Sequence, residues 1–267
     1  MIERITVLGG SSVYTPEFIL SVISHNINVK ELVLLGLPGR KLDLVTAFCQ
    51  RLVKKSGFPC KITGTSDVEE AVRGAKYIIN HIRVGGMESR IRDEMLPPKF
   101  GTIGDETLGA GGIASAMRTL PVVFDIAAII ESCNPDATFI NLTNPIGIIV
   151  EGLVKYSNLN VFGVDELPGA YMLKVANVLQ QSQERLEYNY IGLNRLGWFQ
   201  DVKQDGRSKM AKLLELLEQK PTDGFDYQLI ELFRMIPTRH TGMFFRRAEI
   251  LKQQQSGSRF RAEVLHE

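Results

Sequence analysis

The sequence predicts an α/β protein in which a doubly wound, Rossmann-like parallel sheet covers residues 1–165 and an α+β domain covers residues 166–267. Strand-like and helix-like segments alternate in the first part, and each strand is almost continuously apolar, as in sheets covered on both faces. The first strand also runs directly into a glycine turn and a helix start. Together these three observations favour a nucleotide-binding fold.

Composition excludes several classes of protein. Of the 267 residues, 44% are hydrophobic, which is enough apolar surface to offset chain entropy and excludes a disordered chain. The 31 basic and 30 acidic side chains leave a net charge of +1, so no electrostatic signal points to nucleic acid or to a membrane surface. No uncharged apolar stretch reaches the length of a membrane span. We therefore expect a small-molecule ligand, with neither nucleic acid nor a membrane as partner.

The elements of the first domain are predicted from hydrophobic runs, helical spacing and turn residues. Thr15, Pro16 and Glu17 are typical of a helix start, with an N-cap, a first-position proline and a first-turn acid. Gly36 and Pro38 end the second strand. In order, we predict strand 5–8, helix 15–25, strand 31–35, helix 41–55, helix 67–73, strand 77–82, helix 122–132 and strands 138–142 and 161–164.

The second domain has a different pattern. It contains helices with a single clear strand between them, which indicates α+β structure. We predict helix 168–183, strand 188–193, helices 209–219 and 227–235, and a polar helix over 248–255.

The turn after the first strand is typical of a phosphate site. Free backbone N–H groups and the positive end of a helix converge where glycine lets the chain approach a pyrophosphate. The full G-x-G-x-x-G fingerprint is incomplete, because serines stand where further glycine is usual, and a simple strand-to-helix turn is the alternative. We predict dinucleotide binding, with NAD as cofactor. The candidate cofactor-binding residues are Gly9, Gly10, Ser11, Ser12 and Tyr14.

The end of the second strand lacks the acid that usually binds the ribose hydroxyls. Gly36 stands there, and Arg40 and Lys41 follow. Either the basic pair accommodates a 2′-phosphate, or ribose recognition is lost, or this is an ordinary solvated turn.

Two segments after the 77–82 strand combine glycine, arginine and acids. Residues 82–94 and 101–112 carry groups that a phosphorylated, hydroxylated ligand requires, since arginine offers a fork of donors and carboxylates accept from sugar hydroxyls. Asn141 and Asn144 then place amides at the carboxyl end of a later strand, where such sheets bind ligands.

These motifs, taken in order, resemble glycoside hydrolase family 4, the NAD-dependent 6-phospho-α- and 6-phospho-β-glucosidases of carbohydrate metabolism. The resemblance covers the whole chain, although known members continue well beyond the point that corresponds to Glu267. It implies an unusual mechanism in which NAD takes hydride from C3 of the sugar, a divalent metal of the Mn²⁺ type polarises the product, a base removes the C2 proton and the glycosidic oxygen leaves by elimination. The matching segments are 9–16, 82–94, 104–112, 144–145, 192–198 and 236–237.

The resemblance assigns substrate-binding roles. Arg90 and Asn144 match the family's substrate-contacting arginine and amide, and Glu106 matches an acid that we take as catalytic, although Asp105 replaces the usual glutamine before it. One of Arg259 and Arg261 corresponds to a later substrate-binding arginine, and we take Arg261 as the candidate. The alternative for Arg90 and Glu106 is a simple structural ion pair.

The resemblance also assigns two metal-ligand positions, and both are substituted. Asp165 stands at the family's cysteine position and Arg195 at its histidine position. A carboxylate can still bind a hard cation, but a guanidinium has no lone pair and stays positive. We therefore expect Mn²⁺ to bind weakly or not at all. Our hypothesis is that Arg195 pairs with Asp165 or with Glu166, which we also take as a catalytic candidate.

The family's catalytic tyrosine is replaced as well. His240 stands there, shortly after Ile236 and Pro237. Histidine can act as a general base, so we take His240 as a catalytic candidate. The alternative is an ordinary half-exposed histidine among neighbouring arginines.

The function expected from these observations is cleavage of O-glycosidic bonds in 6-phosphorylated disaccharides, with NAD and with activity reduced by the substitutions. One alternative is an inactive relative that binds dinucleotide or sugar phosphate, and another is an NAD-dependent hydroxy-acid dehydrogenase, which shares the fold but not the Arg90, Glu106 and Asn144 pattern. We further expect a homodimer or homotetramer, and a cytoplasmic protein, because the three cysteines are scattered and the N-terminus has no signal pattern.

Overall fold

The chain divides into two compact units in the computed structural model, which describes residues 1–193, 195–220, 224–257 and 259–266. The first unit is Met1–Val164 together with the chain from Arg259 onward, and the second unit begins at Asp165 and ends where the chain returns to the first.

The first unit is built on a six-stranded parallel sheet in the order β3-β2-β1-β4-β5-β6. Because the strand order reverses beside β1, the sheet is doubly wound, and the predicted fold class is confirmed. The strands are β1 (Ile2–Leu8), β2 (Val29–Leu35), β3 (Lys61–Thr65), β4 (Tyr77–Asn80), β5 (Thr138–Asn141) and β6 (Asn160–Gly163).

Helices cover both faces of this sheet. Successive residues of β2 show the alternation, since Val33 packs into one hydrophobic cluster with Phe139 and Ile130, whereas Leu32 packs into the other with Ile19. Burial on both faces explains why the strands are so uniformly apolar. The helices of this unit are α1 (Thr15–Ser24), α2 (Arg40–Ser56), α3 (Val68–Val72), α4 (Gly86–Met95), α5 (Gly109–Cys133) and α6 (Ile146–Tyr156).

Helix α4 lies in a segment for which the sequence analysis predicted no helix. Its buried face is polar and carries Ser89, Arg90, Asp93 and Glu94, so the usual apolar spacing of a helix is absent. Strand β3 and helix α6 were not predicted either, and α5 begins at Gly109 rather than at residue 122.

Helix α5 is long and apolar enough, by length and composition, to cross a membrane. A core helix of a globular protein passes the same test, and α5 packs against α3, α4 and α6. It also carries Arg118, which pairs with Asp93 of α4. We therefore interpret α5 as a core helix.

The second unit contains an antiparallel sheet in the order β10-β8-β7, with β9 paired to β8. Its core is formed around Phe199 and Val202 of β8, with Tyr171, Leu213 and Ile236. The strands are β7 (Leu186–Leu193), β8 (Leu196–Gln204), β9 (Arg207–Ser208) and β10 (Ile236–Pro237), and the helices are α7 (Leu167–Leu179), α8 (Met210–Gln219), α9 (Tyr227–Phe233), α10 (Arg239–Phe245) and α11 (Arg247–Gln255). Only the first of these strands was predicted from the sequence.

The last helix, α12 (Arg261–His266), belongs to the first unit, although the sequence analysis placed all of 166–267 in the second domain. It packs against α4, and the Ala262 N–H donates to Glu94 Oε2 over 3.0 Å. A buried carboxylate needs such donors. Sequence proximity could not reveal a contact between positions 168 residues apart.

The turn between β1 and α1 passes very close to the neighbouring strands. The N–H groups of Gly9 and Gly10 both donate to Leu35 O, over 3.0 and 2.7 Å. A Cβ at Gly10 would lie 2.7 Å from Leu34 Cα, and one at Gly9 would lie 2.5 Å from His81 O. These contacts require glycine at both positions for reasons of packing alone.

Glu31 joins the first three strands of the sheet. Its carboxylate accepts from Thr63 Oγ1 at 2.7 Å, from Arg4 Nε at 2.9 Å and from Lys61 Nζ at 3.1 Å. Burial favours the neutral acid, but the Thr63 hydroxyl, the Lys61 ammonium and the Arg4 guanidinium outweigh it and lower the Glu31 pKa from 4.5 to about 2.

We expect Gly10→Ala to destabilise the protein by about 1–3 kcal/mol, because the added methyl group overpacks the turn against β2. Urea unfolding measures this change. Gly147→Ala is the matched control, because Gly147 is exposed on α6 with nothing within 4 Å of its added Cβ. It should stabilise the protein by about 0.5–1 kcal/mol. Equal effects of the two substitutions would contradict the close approach at Gly10.

The Glu31 interactions should make stability depend on pH in a defined window. Because the folded pKa is lowered, ionised Glu31 contributes its full stability above about pH 4.5 and loses it as pH falls toward 2. We expect Glu31→Gln to be less stable than the wild type at pH 6, with the difference shrinking between pH 4.5 and 2. Chemical unfolding at several pH values tests this, and a constant difference would show that Glu31 does not titrate as described.

Candidate functional site

The β1–α1 turn leaves backbone donors available at the start of α1. The N–H groups of Ser11 and Val13 have no acceptor among the residues that the structure describes. The side chains here are accessible, with Val13 69% and Tyr14 52% exposed. Free N–H groups at the positive end of a helix suit a phosphate group. The five residues assigned to the cofactor therefore lie on a turn that fits a pyrophosphate.

The end of β2 lies beside this turn. A Cβ at Gly36 would come within 3.1 Å of the Ser11 Cβ and Oγ atoms, so a larger side chain would displace Ser11. Arg40 and Lys41 begin α2 and are exposed. The structure thus gives a packing reason for glycine at this position, and the choice between NAD and NADP stays a prediction.

The carboxyl ends of β4 and β5 carry a buried amide network. Asn80 Nδ2 donates to Asn141 Oδ1 over 2.8 Å, Asn141 Nδ2 donates to Thr143 O over 3.0 Å, and Thr143 Oγ1 donates to Ile82 O over 3.0 Å. Asn80 and Asn141 are fully buried. Asn141 therefore has a structural role, and it shapes the backbone that leads to Asn144.

Glu106 is the centre of a cluster of polar side chains in the first unit. Arg90 Nη2 lies 3.0 Å from Glu106 Oε1, Arg83 Nη1 lies 2.8 Å from Oε2, and Asn144 Nδ2 donates to Oε1 over 3.4 Å. Arg90 Nε also donates to Glu94 over 2.9 Å. We call these five residues the Glu106 cluster. The structure thus brings together Arg90, Glu106 and Asn144, which the sequence analysis had selected separately.

The two arginines of the Glu106 cluster differ in exposure. The Arg90 side chain is 7% exposed and lies between two carboxylates, whereas the Arg83 side chain is 41% exposed. Arg83 therefore offers an accessible guanidinium to an anion, and Arg90 holds Glu106 in position. Sequence reasoning did not select Arg83, although it lies in the glycine-rich segment after β4, in which each charged residue is a candidate.

Arg261 is the first residue of α12, in the same unit as the Glu106 cluster. Its neighbour Ala262 donates to Glu94, which in turn binds Arg90. The Arg261 side chain itself is exposed.

In the second unit, Arg195 and Asp165 form a buried ion pair. Arg195 Nε lies 2.9 Å from Asp165 Oδ2, and Nη2 lies 3.4 Å from Oδ1. The two side chains are 6% and 11% exposed. Glu166 is more distant, with its Oε1 3.6 Å from Arg195 Nη2 and its side chain 72% exposed.

These residues do not fit a divalent metal. Arg195 offers no lone pair and Asp165 already binds a guanidinium, and within the described ranges no three His, Cys, Asp or Glu side chains come together as ligands. No chemical step in this protein is therefore assigned to a metal.

His240 is a buried residue on α10, with 5% of its surface exposed. The interpretation of His240 as a half-exposed histidine is thus wrong, because His240 is buried on a helix that packs against β8. The nearby Thr238 caps α10 and also donates to Arg195 O over 2.5 Å.

Tyr190 lies near the Asp165–Arg195 ion pair. Burial together with the negative charge of Asp165 raises the pKa of Tyr190, so its phenol stays protonated at neutral pH.

Comparison with known proteins agrees with the resemblance found in the sequence. The family described as family 4 glycosyl hydrolase matches residues 4–181. A "6-phospho-beta-glucosidase" of Escherichia coli is 33% identical over 93% of this chain and 59% of its own length. A "Probable 6-phospho-beta-glucosidase" of Bacillus subtilis is 33% identical over 98% of this chain and 63% of its own length.

Solved structures show the same architecture. The 6-phospho-beta glucosidase of Thermotoga maritima, determined with NAD and glucose-6-phosphate, superposes with a TM-score of 0.88 at 30% identity, over 98% of this chain and 64% of that one. The same enzyme was also determined with manganese, NAD⁺ and glucose-6-phosphate, with a TM-score of 0.88. A lactate dehydrogenase shares only the fold, with a TM-score of 0.59 at 17% identity.

The chain spans about three-fifths of the length of the two curated relatives. The family match covers 178 residues, from position 4 to position 181, which is two thirds of the 267. On the strength of this match, of the similarity over nearly the whole chain and of the shared fold, the chain belongs to family 4 of the glycosyl hydrolases.

Proposed function

We propose that this chain acts on 6-phosphorylated glucosides as a 6-phospho-glucosidase, with NAD as its cofactor. The observation that carries the proposal is the Glu106 cluster at the carboxyl ends of β4 and β5, where sheets of this order bind ligands. The similar enzyme of Thermotoga maritima was determined with NAD and glucose-6-phosphate. Both ligands suit the groups present here.

The cofactor role rests on the turn after β1. Ser11 and Val13 provide backbone donors for a pyrophosphate, and Tyr14 lies exposed beside them. Bound NAD would supply the oxidation and the later reduction of the sugar. NAD is the cofactor that the relatives favour, whereas Arg40 and Lys41 keep NADP open as the second choice.

The sugar role rests on the Glu106 cluster. The accessible Arg83 guanidinium can bind a phosphate oxygen or a hydroxyl group through parallel N–H donors. Glu106 can accept hydrogen bonds from sugar hydroxyls and Asn144 can donate to them, and the ion pair with Arg90 holds the Glu106 carboxylate in position. We assign Arg261 to the same ligand because α12 is anchored to α4.

A second candidate function is binding without turnover, as in a sensor or an accessory subunit. The observation that favours it is the Asp165–Arg195 ion pair at the positions where the resemblance places metal ligands. His240 is the base candidate in this unit, and Glu166 is the accessible acid.

Two further proposals concern the state of the protein. Free thiols at Cys49, Cys60 and Cys133 suit a reducing compartment such as the cytoplasm.

We also propose that the protein forms a homodimer or homotetramer. Exposed apolar side chains in the second unit, including Leu232 and Phe244, support self-association. Light scattering of the purified chain tests the oligomeric state.

Arg83→Gln should weaken the binding of glucose-6-phosphate by about 10- to 100-fold, because the accessible charge-assisted donors are lost. Calorimetric titration with NAD present measures this change. Arg92→Gln is the matched control, because Arg92 is also exposed and bonded to a neighbour, Ser89, but does not touch Glu106. Equal affinities of the two variants would contradict the assignment of the sugar phosphate ligand to Arg83.

Turnover separates the two candidate functions. We expect the wild-type chain to release nitrophenol from a nitrophenyl 6-phosphoglucoside when NAD⁺ is present. Arg90→Lys should abolish this release, because lysine cannot bridge Glu94 and Glu106 with a planar fork. Arg118→Lys makes the same change at the neighbouring pair with Asp93 and should keep it. Thermal stabilisation by glucose-6-phosphate without any release would instead identify a binding protein.

A further inference from the structure

We propose that the Arg195 guanidinium takes the place of the divalent metal in this protein, so that the second unit holds a built-in organic cation and binds no Mn²⁺ at the Asp165 position. This inference concerns the second unit alone and does not depend on the proposed substrate. It rests on the geometry of the ion pair, on the backbone that holds Arg195, and on the ligand set.

The carboxylate of Asp165 is already fully engaged. Its Oδ2 atom binds Arg195 Nε, and its Oδ1 atom faces Arg195 Nη2 and accepts the Leu167 N–H over 3.0 Å. The group also lies at the start of α7, where the helix end favours a negative charge. A cation that coordinated Asp165 would therefore have to displace the guanidinium.

The backbone at Arg195 is held in place as firmly as the side chain. Its φ of +61° is in the left-handed region, at the turn between β7 and β8. Its carbonyl accepts from Thr238 Oγ1, and the Thr238 N–H donates to Gly197 O over 3.0 Å. Because Thr238 also caps α10, the Arg195 position is tied to the packed core of the second unit.

Charge and ligand chemistry both exclude a metal next to this pair. A guanidinium cannot coordinate and stays positive at every relevant pH, so it would repel a divalent cation placed beside Asp165. The other nearby acid, Glu166, is exposed and cannot complete a site by itself. The similar Thermotoga maritima enzyme, by contrast, was determined with manganese.

The consequence is independence from metal ions. The thermal stability of this protein should be unchanged by prolonged treatment with EDTA. Because Asp165 stands at the position to which the resemblance assigns a cysteine, thiol reagents should not act on this position either.

Mn²⁺ binding tests the proposal directly. The full chain is titrated with Mn²⁺, and binding is measured as the loss of the EPR signal of the free ion. The wild type and Asp165→Asn should bind the same amount of Mn²⁺, because no site in the wild type uses Asp165. A wild-type site that Asp165→Asn abolishes would overturn the proposal. Sites that survive Asp165→Asn lie elsewhere and leave it standing.

A double variant tests whether Arg195 is what excludes the metal. Asp165→Cys with Arg195→His removes the cation and supplies two ligands, and histidine tolerates the left-handed backbone better than most residues. We expect its Mn²⁺ affinity to rise by about 100-fold or more over the wild type. A folded double variant, judged by circular dichroism, that gains no affinity would also overturn the proposal.

The matched control makes the same two changes at an exposed pair. Arg185 Nη2 lies 2.8 Å from Asp205 Oδ2, with both side chains more than half exposed. Asp205→Cys with Arg185→His creates the same ligand pair without a built site, and its Mn²⁺ affinity should stay at the wild-type level. An equal gain in the control would show that the added ligands alone explain the gain, and would overturn the claim that Arg195 excludes the metal.

Discussion

Neutralisation of the buried Arg90 charge is the constraint on which the first unit most depends. Arg90 and Glu94 are almost completely buried on α4, and a buried charge is costly unless it is paired and hydrogen-bonded. Removing one member of such a pair typically costs about 3–5 kcal/mol. Glu106 meets this requirement for Arg90 and the Ala262 N–H meets it for Glu94, so two other segments of the chain contact this helix.

The second unit meets the same constraint in a different way. Arg195 is as deeply buried as Arg90, and Asp165 balances its charge with both oxygen atoms. In each unit the ionic groups are therefore paired before any ligand arrives. Arg83 is also paired, with Glu106, but its guanidinium is 41% exposed and stays accessible to solvent. The two arginines of this segment therefore differ in exposure, since Arg90 is enclosed by the fold whereas Arg83 faces solvent.

Sequence patterns predicted the fold well where a segment is uniform in character. Strands β1, β2, β4 and β5 each contain a short run of apolar residues, and the doubly wound sheet was predicted from these runs. Strand β3 was missed because among its five residues only Ile62 is buried. Helix α4 was missed for the opposite reason, since its buried face is polar and no apolar period marks it.

The candidate site was predictable residue by residue but not as a geometry. The order of motifs identified Arg90, Glu106 and Asn144, yet only their distances show that Glu106 joins them. Arg195 could be recognised as a misfit for a metal site, whereas its pairing with Asp165 rather than with Glu166 depends on the turn between β7 and β8. Side-chain partners across long stretches of sequence leave no local pattern.

The return of the chain to α4 has a consequence for synthesis on the ribosome. Every strand of the six-stranded sheet has been made once β6 has emerged, so the sheet can form while the second unit is still being translated. The Glu94 carboxylate receives the Ala262 N–H only about a hundred residues later. The contact that anchors Glu94, the partner of Arg90, can therefore form only after every strand of the sheet has been made.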